Sequence, residues 1–181
     1  MLPNATNLQT LANIYMIHAF DTYYNENLAK TVCLTFNNWE DEKCVNILSE
    51  EIRIKCDYKS GEFYKRELPC LLSLISKMNL KDGNIIIIDG YVTLDNKGRK
   101  GLGGYLYDEL NQKNPVIGVA KNKFSEKDDE RILIYRGTSR KPLFITSKGI
   151  DNKLASTFIR EMKGSFRIPD LLKNVDQLTK K

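Results

Sequence analysis

The stretch Gly83-Asn84-Ile85-Ile86-Ile87-Ile88-Asp89-Gly90 decides how the rest of the chain is read. Four consecutive isoleucines suit a strand buried on both faces, because branched side chains pack well on a pleat and a central strand has no wet side to mark with polar residues. Such a strand needs neighbours on either hand and helices above and below, so the fold class is α/β. The run ends in a carboxylate followed by glycine. That delivers Asp89 to the C-terminal edge of a sheet, where open α/β sheets bind ligands, and a carboxylate there calls for a cation. An ordinary Asp-Gly turn would carry the same two residues.

Downstream of the isoleucines, Tyr91 to Arg99 reads as a polar loop. Gly101-Leu102-Gly103-Gly104-Tyr105-Leu106 opens a helix whose glycines would let backbone or phosphate approach closely. No Gly-Lys-Ser/Thr follows, so it is not a P-loop. Pro115 to Lys121 is a further short buried strand. Arg131 to Arg136 and Leu143 to Thr146 form a hairpin, and a last helix begins near Asp151 as N-cap and runs to Gly164. Upstream, Phe63, Glu67, Leu68, Leu71, Leu72, Ile75 and Met78 recur at helical spacing, with Pro69 holding Glu67 close to the helix start. Before that helix, Ile14 to Phe20 is a strand ending at Asp21, Tyr24 to Asn27 a turn, Leu28 to Phe36 a second strand, and Cys44 to Ile54 a third. Short connections imply an antiparallel meander. Three antiparallel strands followed by strand, helix and strand in parallel pairing make one mixed sheet of ribonuclease-H-like arrangement, flanked by helices.

At 181 residues and 41% hydrophobic content, the chain accommodates one well-cored domain, residues 1–181. No apolar run reaches the length of a membrane span, and the first residues lack the pattern of a signal peptide. The expectation is a monomeric, cytoplasmic protein without membrane association. Cys33, Cys44, Cys56 and Cys70 have no CxxC spacing, and His18 is the single histidine, which argues against zinc and against a Cys-His dyad. Residues 1–96 carry nine Lys and Arg against thirteen Asp and Glu, a balance of −4, while residues 97–181 carry nineteen against ten, or +9. A basic second half suits a polyanion, although a solvated lysine-rich surface gives the same count.

Asp21 and Asp89 end the first and fourth strands, which are neighbours in this arrangement, and Glu67 reaches them from the intervening helix. Three acids that close repel unless a divalent cation shares them, and hard oxygen ligands select Mg²⁺ or Mn²⁺. Such a site suits phosphodiester hydrolysis, with Lys121 neutralising charge on the phosphate. Taken singly, Asp21 reads equally as a turn residue, Glu67 as a helix N-terminal acid and Lys121 as a solvated lysine.

Ile88-Asp89-Gly90, Arg99-Lys100-Gly101-Leu102-Gly103-Gly104-Tyr105-Leu106 and Pro115-Val116-Ile117-Gly118-Val119-Ala120-Lys121 together closely resemble endonuclease V, the family of nucleases acting on deaminated purines. Ala19-Phe20-Asp21, the Phe63 to Pro69 segment, Pro142 to Thr146 and Arg167-Ile168-Pro169-Asp170 through Asp176 resemble its other segments. The resemblance implies Mg²⁺ held by Asp21, Glu67 and Asp89, with Asp176 as a supporting acid and Lys121 at the phosphate. It further implies cleavage 3′ to hypoxanthine in DNA or RNA. Tyr58, Lys59 and Gly61 stand in the strand-parting loop, where the family's Pro-Tyr-Ile-Pro-Gly is Asp57-Tyr58-Lys59-Ser60-Gly61 here. The resemblance also implies that Gly90, Arg99, Gly101, Leu102, Gly103 and Gly104 line the displaced base. A relative that keeps the fold and binds nucleic acid without cutting it is the alternative.

Overall fold

The computed structural model describes residues 15–54, 63–124 and 131–181. Its centre is one sheet of seven strands: β1 (Ile17–Asn25), β2 (Leu28–Phe36), β3 (Asn46–Arg53), β4 (Ile85–Asp89), β5 (Val116–Ala120), β6 (Ile132–Ile134) and β7 (Leu143–Lys148). They lie in the order β3-β2-β1-β4-β5-β7-β6. β1, β2 and β3 pair antiparallel, β1 with β4 and β4 with β5 parallel, and β7 antiparallel to both β5 and β6. This is the mixed, ribonuclease-H-like sheet read from the element order, with its meander, parallel centre and hairpin.

The isoleucine strand is buried as expected, with Ile86, Ile87 and Ile88 each at most 2% exposed. Alternation sends Ile86 and Ile88 to one face, where they pack with Leu71 and Leu74 of α1 (Phe63–Ser76) and Leu102 and Leu106 of α2 (Leu102–Glu109). Ile87 points to the other face, against Ile159 of α3 (Asn152–Glu161) and Leu171 and Val175 of α4 (Asp170–Thr179). Burying an isoleucine side chain contributes roughly 1.5–3 kcal/mol, so this one strand anchors both layers.

Three expectations need correction. β1 does not stop at Asp21 but runs to Asn25, because its ladder with β2 continues to Asn25↔Leu28 after its pairing with β4 has ended at Phe20↔Ile88. The turn therefore shrinks to Glu26 and Asn27, with Glu26 in the left-handed region at φ 50°. Pro69 sits in the interior of α1 instead of its first turn. Finally, α3 is not the last helix: α4 follows it, with Pro169 as N-cap and Leu171 and Val175 buried. Asp151 caps α3 as expected, its carboxylate accepting from the backbone N–H groups of Lys153 and Leu154. Ile14, Cys56 and the wedge residues Tyr58, Lys59 and Gly61 lie outside the described residues. Among the described residues no helix is long and apolar enough to cross a membrane. Cys33 and Cys70 are buried and, like Cys44, free.

His18 is buried in the sheet centre. Its Nδ1 is 2.9 Å from the Thr35 hydroxyl and its Nε2 is 3.0 Å from the Asn84 side-chain amide nitrogen. An amide N–H donating to Nε2 requires a neutral ring with its proton on Nδ1. Burial lowers its pKa from 6.5 to about 4. The unfolded chain thus takes up a proton that the folded one refuses, and stability falls as pH drops from 6.5 toward 4. His18→Gln, an uncharged residue that can still hydrogen-bond, is expected to flatten this part of the urea-midpoint profile; an unchanged slope would contradict the assignment.

Candidate active site

The parallel register sets the site. Phe20 of β1 lies opposite Ile88 of β4, so the next residue on each strand is an acid, Asp21 beside Asp89. Odd-numbered residues of both strands share the α3/α4 face, so the two side chains emerge on the same side. Asp89 closes β4, and Lys121 follows the last residue of β5. α4 carries Asp176 over the same edge. Asp21, Asp89, Lys121 and Asp176 line one small pocket with Val119, Leu172 and Val175 as part of its apolar wall.

The Lys121 ammonium is 2.7 Å from Asp89 Oδ2 and 3.9 Å from Asp176 Oδ1. Burial opposes its charge, but Asp89, Asp176 and Asp21 outweigh that and hold its pKa above the usual lysine value. Asp176 Oδ2 also accepts from Lys180, one turn further along α4, at 2.7 Å. Among the described residues, Asp21 accepts from the Thr22 backbone N–H alone, at 2.9 Å. Its carboxyl is pushed from 3.8 to about 7, first by burial, then by Asp89 and Asp176, against the pull of Lys121.

Glu67 arrives from the opposite layer, in the second turn of α1. It is 5% exposed and its Oε2 has no hydrogen-bond partner among the described residues. Burial, then Asp21 and Asp89, hold its pKa well above the usual carboxylate range, with Arg66 opposing. Among the described residues no three acidic, histidine or cysteine side chains stand as a preassembled ligand set. The Asp89 carboxylate is engaged by Lys121 instead. Even so, the residues fit a hard divalent cation: the donors are all carboxylate oxygens, the negative charge of Asp89 disfavours ionisation of both Asp21 and Glu67, and one buried oxygen lacks a hydrogen-bond partner among the described residues.

Of the two uses expected of the glycines at the start of α2, the structure shows the close approach of backbone. A Cβ on Gly103 would lie 2.6 Å from Val92 Cγ2 and 2.9 Å from Ile88 Cδ1, and one on Gly104 would lie 2.6 Å from the Val92 carbonyl. The close approach they allow is between α2 and the segment after β4. Leu102 is buried with them. Gly90, by contrast, has open space where a Cβ would be, at φ 125°. Arg99 is exposed and paired with Asp95 at 3.2 Å.

Two supports escaped the sequence reading. Arg167 donates through one guanidinium nitrogen to the carbonyl oxygens of Lys121 and of Pro142, tying the end of β5 to the start of β7. The Arg66 guanidinium stacks 3.8 Å over the Tyr24 ring beside Glu67. The segments holding both arginines were visible as motifs, but the partners are remote in sequence.

Residues 4–177 match the family model for endonuclease V. A solved endonuclease V from Ciona intestinalis, bound to a 24mer DNA containing an inosine followed by a ribo-adenosine, is 18% identical with a TM-score of 0.76, covering 92% of this chain and 84% of its own. The Streptomyces avermitilis endonuclease V gives 19%, 0.74, 93% and 81%. The human protein gives 17%, 0.74, 92% and 83%. No curated protein sequence matches this one.

Because Asp21 is disfavoured as an anion, the folded chain without added metal binds a proton here that the unfolded chain releases, and stability falls as pH rises from 3.8 toward 7. In EDTA at pH 8, Asp21→Asn is expected to be more stable than the parent chain by about 1–3 kcal/mol, with a clearly smaller gain at pH 5. Urea unfolding at both pH values checks this; a less stable variant at pH 8 would show that Asp21 has a compensating partner.

Proposed function

Since the chain belongs to the endonuclease V family and is therefore an endonuclease, we propose that it hydrolyses a phosphodiester bond 3′ to a deaminated purine, using Mg²⁺, in DNA containing deoxyinosine or RNA containing inosine. The observation that carries this reading is the buried Glu67 Oε2, without a hydrogen-bond partner among the described residues and electrostatically opposed by Asp21 and Asp89, the two acids that the register sets side by side. The Ciona relative's inosine-containing DNA supports the choice of base.

Asp21, Glu67 and Asp89 would hold the ion, with Asp176 beside them. A divalent cation in that position supplies Lewis-acid polarisation of the phosphate and a water of lowered pKa. Lys121 keeps a positive charge next to Asp89, where it neutralises charge developing on a phosphate oxygen. Arg167 fixes the backbone from which that lysine projects. Arg99 and the open side of Gly90 face the nucleic acid. Gly101, Leu102, Gly103 and Gly104 support the base site from beneath by seating α2 on the segment after β4. Tyr58, Lys59 and Gly61 would part the strands.

With Mg²⁺ the protein is expected to cut an inosine-containing oligonucleotide, to leave an adenosine control intact and to stop in EDTA. Asp89→Ala should lower the rate by about a thousandfold or more, equivalent to some 4 kcal/mol of transition-state stabilisation, while oligonucleotide affinity stays within a few-fold. An Asp89→Ala protein that cuts normally would refute the assignment. A parent chain that binds but never cuts would favour the non-catalytic alternative.

A further inference from the structure

Two exposed aromatic rings stand on the segments fastened to Lys121. Phe166 is 67% exposed, more than any other large apolar side chain among the described residues, and Phe124 is 49% exposed. Phe124 follows Lys121 by three residues, and Phe166 precedes Arg167, whose guanidinium holds the Lys121 carbonyl.

Neither ring is on loosely held backbone. Arg136, only 6% exposed, donates to the Phe166 carbonyl at 3.0 Å, to Gly164 at 3.2 Å and to Met162. The Tyr91 hydroxyl donates to the Asn122 carbonyl at 2.8 Å, and its ring meets Phe124 edge-on at 6.1 Å between centroids. Each exposed ring also has a cation on it: Lys173 Nζ is 5.4 Å from the Phe166 centroid, and the Arg99 guanidinium carbon is 5.3 Å from that of Phe124. A scattered surface phenylalanine needs no explanation. Two of them, pinned beside the same lysine and each accompanied by a cation, form the pattern with which proteins hold single strands, in which bases stack on rings and cations track the backbone.

We propose that Phe166 and Phe124 are stacking platforms for unpaired bases of the nucleic-acid strand on either side of the phosphate at Lys121, with Lys173 and Arg99 contacting the flanking phosphates. This rests on the nuclease reading for where the phosphate sits and extends it to how the flanking strand is gripped. The ligand class is single-stranded DNA or RNA of any sequence, since every base offers a face to stack. The +9 balance of residues 97–181, which contain both rings and both cations, suits it.

The test uses the full chain, EDTA and a single-stranded oligonucleotide carrying 2-aminopurine, whose fluorescence is quenched on stacking. The parent chain should bind with quenching that weakens in high salt. Phe166→Ala should raise Kd by about fivefold to a hundredfold, the range of one lost base stack, and relieve the quenching; Phe166→Trp should retain both. Phe124→Ala should act in the same direction. Parent-like affinity and quenching in Phe166→Ala, or a parent chain that binds no single strand and instead presents these rings to a protein, would overturn the proposal. Equal urea midpoints separate loss of stacking from loss of fold, and Phe166→Trp decides the matter if the alanine variant unfolds. Since the assay needs neither metal nor cleavage, its failure leaves the acid site's role intact. A failure to cut inosine leaves the platforms intact in the same way.

Discussion

The parallel pairing of β1 with β4 imposes a cost on this molecule that the rest of the structure is arranged around. A register fixed by Phe20↔Ile88 brings Asp21 and Asp89 together at one edge of the sheet, where burial and the charge of Asp89 disfavour ionisation of Asp21. The isoleucine strand supplies enough burial on both faces to hold the register regardless of that repulsion. Glu67, presented from α1 in the other layer, adds a third acid with a buried oxygen that no described residue satisfies. Lys121 offsets part of the excess negative charge, and its own backbone is held in place by Arg167.

Two perturbed groups of β1, His18 and Asp21, pull stability in opposite directions. His18 must stay neutral within its Thr35 and Asn84 hydrogen bonds, so acid weakens the fold. Asp21 resists ionisation, so base weakens the fold. The first is a structural hydrogen-bond network. The second has no structural benefit in the chain alone, and an acid kept under strain in a cleft is a mark of function more than of stability.

Much of this was legible in the sequence because the deciding signals are local. A run of four isoleucines ending in Asp-Gly can be little else than a buried strand with an acid at its end, and the order of elements around it limits the topology to a few arrangements. What was misread depended on distant partners. Tyr24 and Asn25 look like the start of a turn, yet the β2 ladder carries them as strand. The short helix α4 went unread, although Leu171, Val175 and Leu178 recur at helical spacing behind Pro169, its N-cap. The glycines of the α2 start signal close approach in sequence, but not that Val92 and Ile88 are what approaches them. The roles of Arg136 and Arg167 are invisible in sequence, since each gathers carbonyls from segments at least 24 residues away.

The account stands on three carboxylates from β1, α1 and β4 sharing one ion. Anomalous diffraction from crystals soaked in Mn²⁺ measures this directly. The expected result is one peak within about 2.0–2.3 Å of oxygens from Asp21, Glu67 and Asp89, with Lys121 drawn away from Asp89. A peak that engages neither Asp21 nor Glu67, or a Glu67 carboxyl still buried and unpartnered in a crystal whose manganese lies elsewhere, would contradict it.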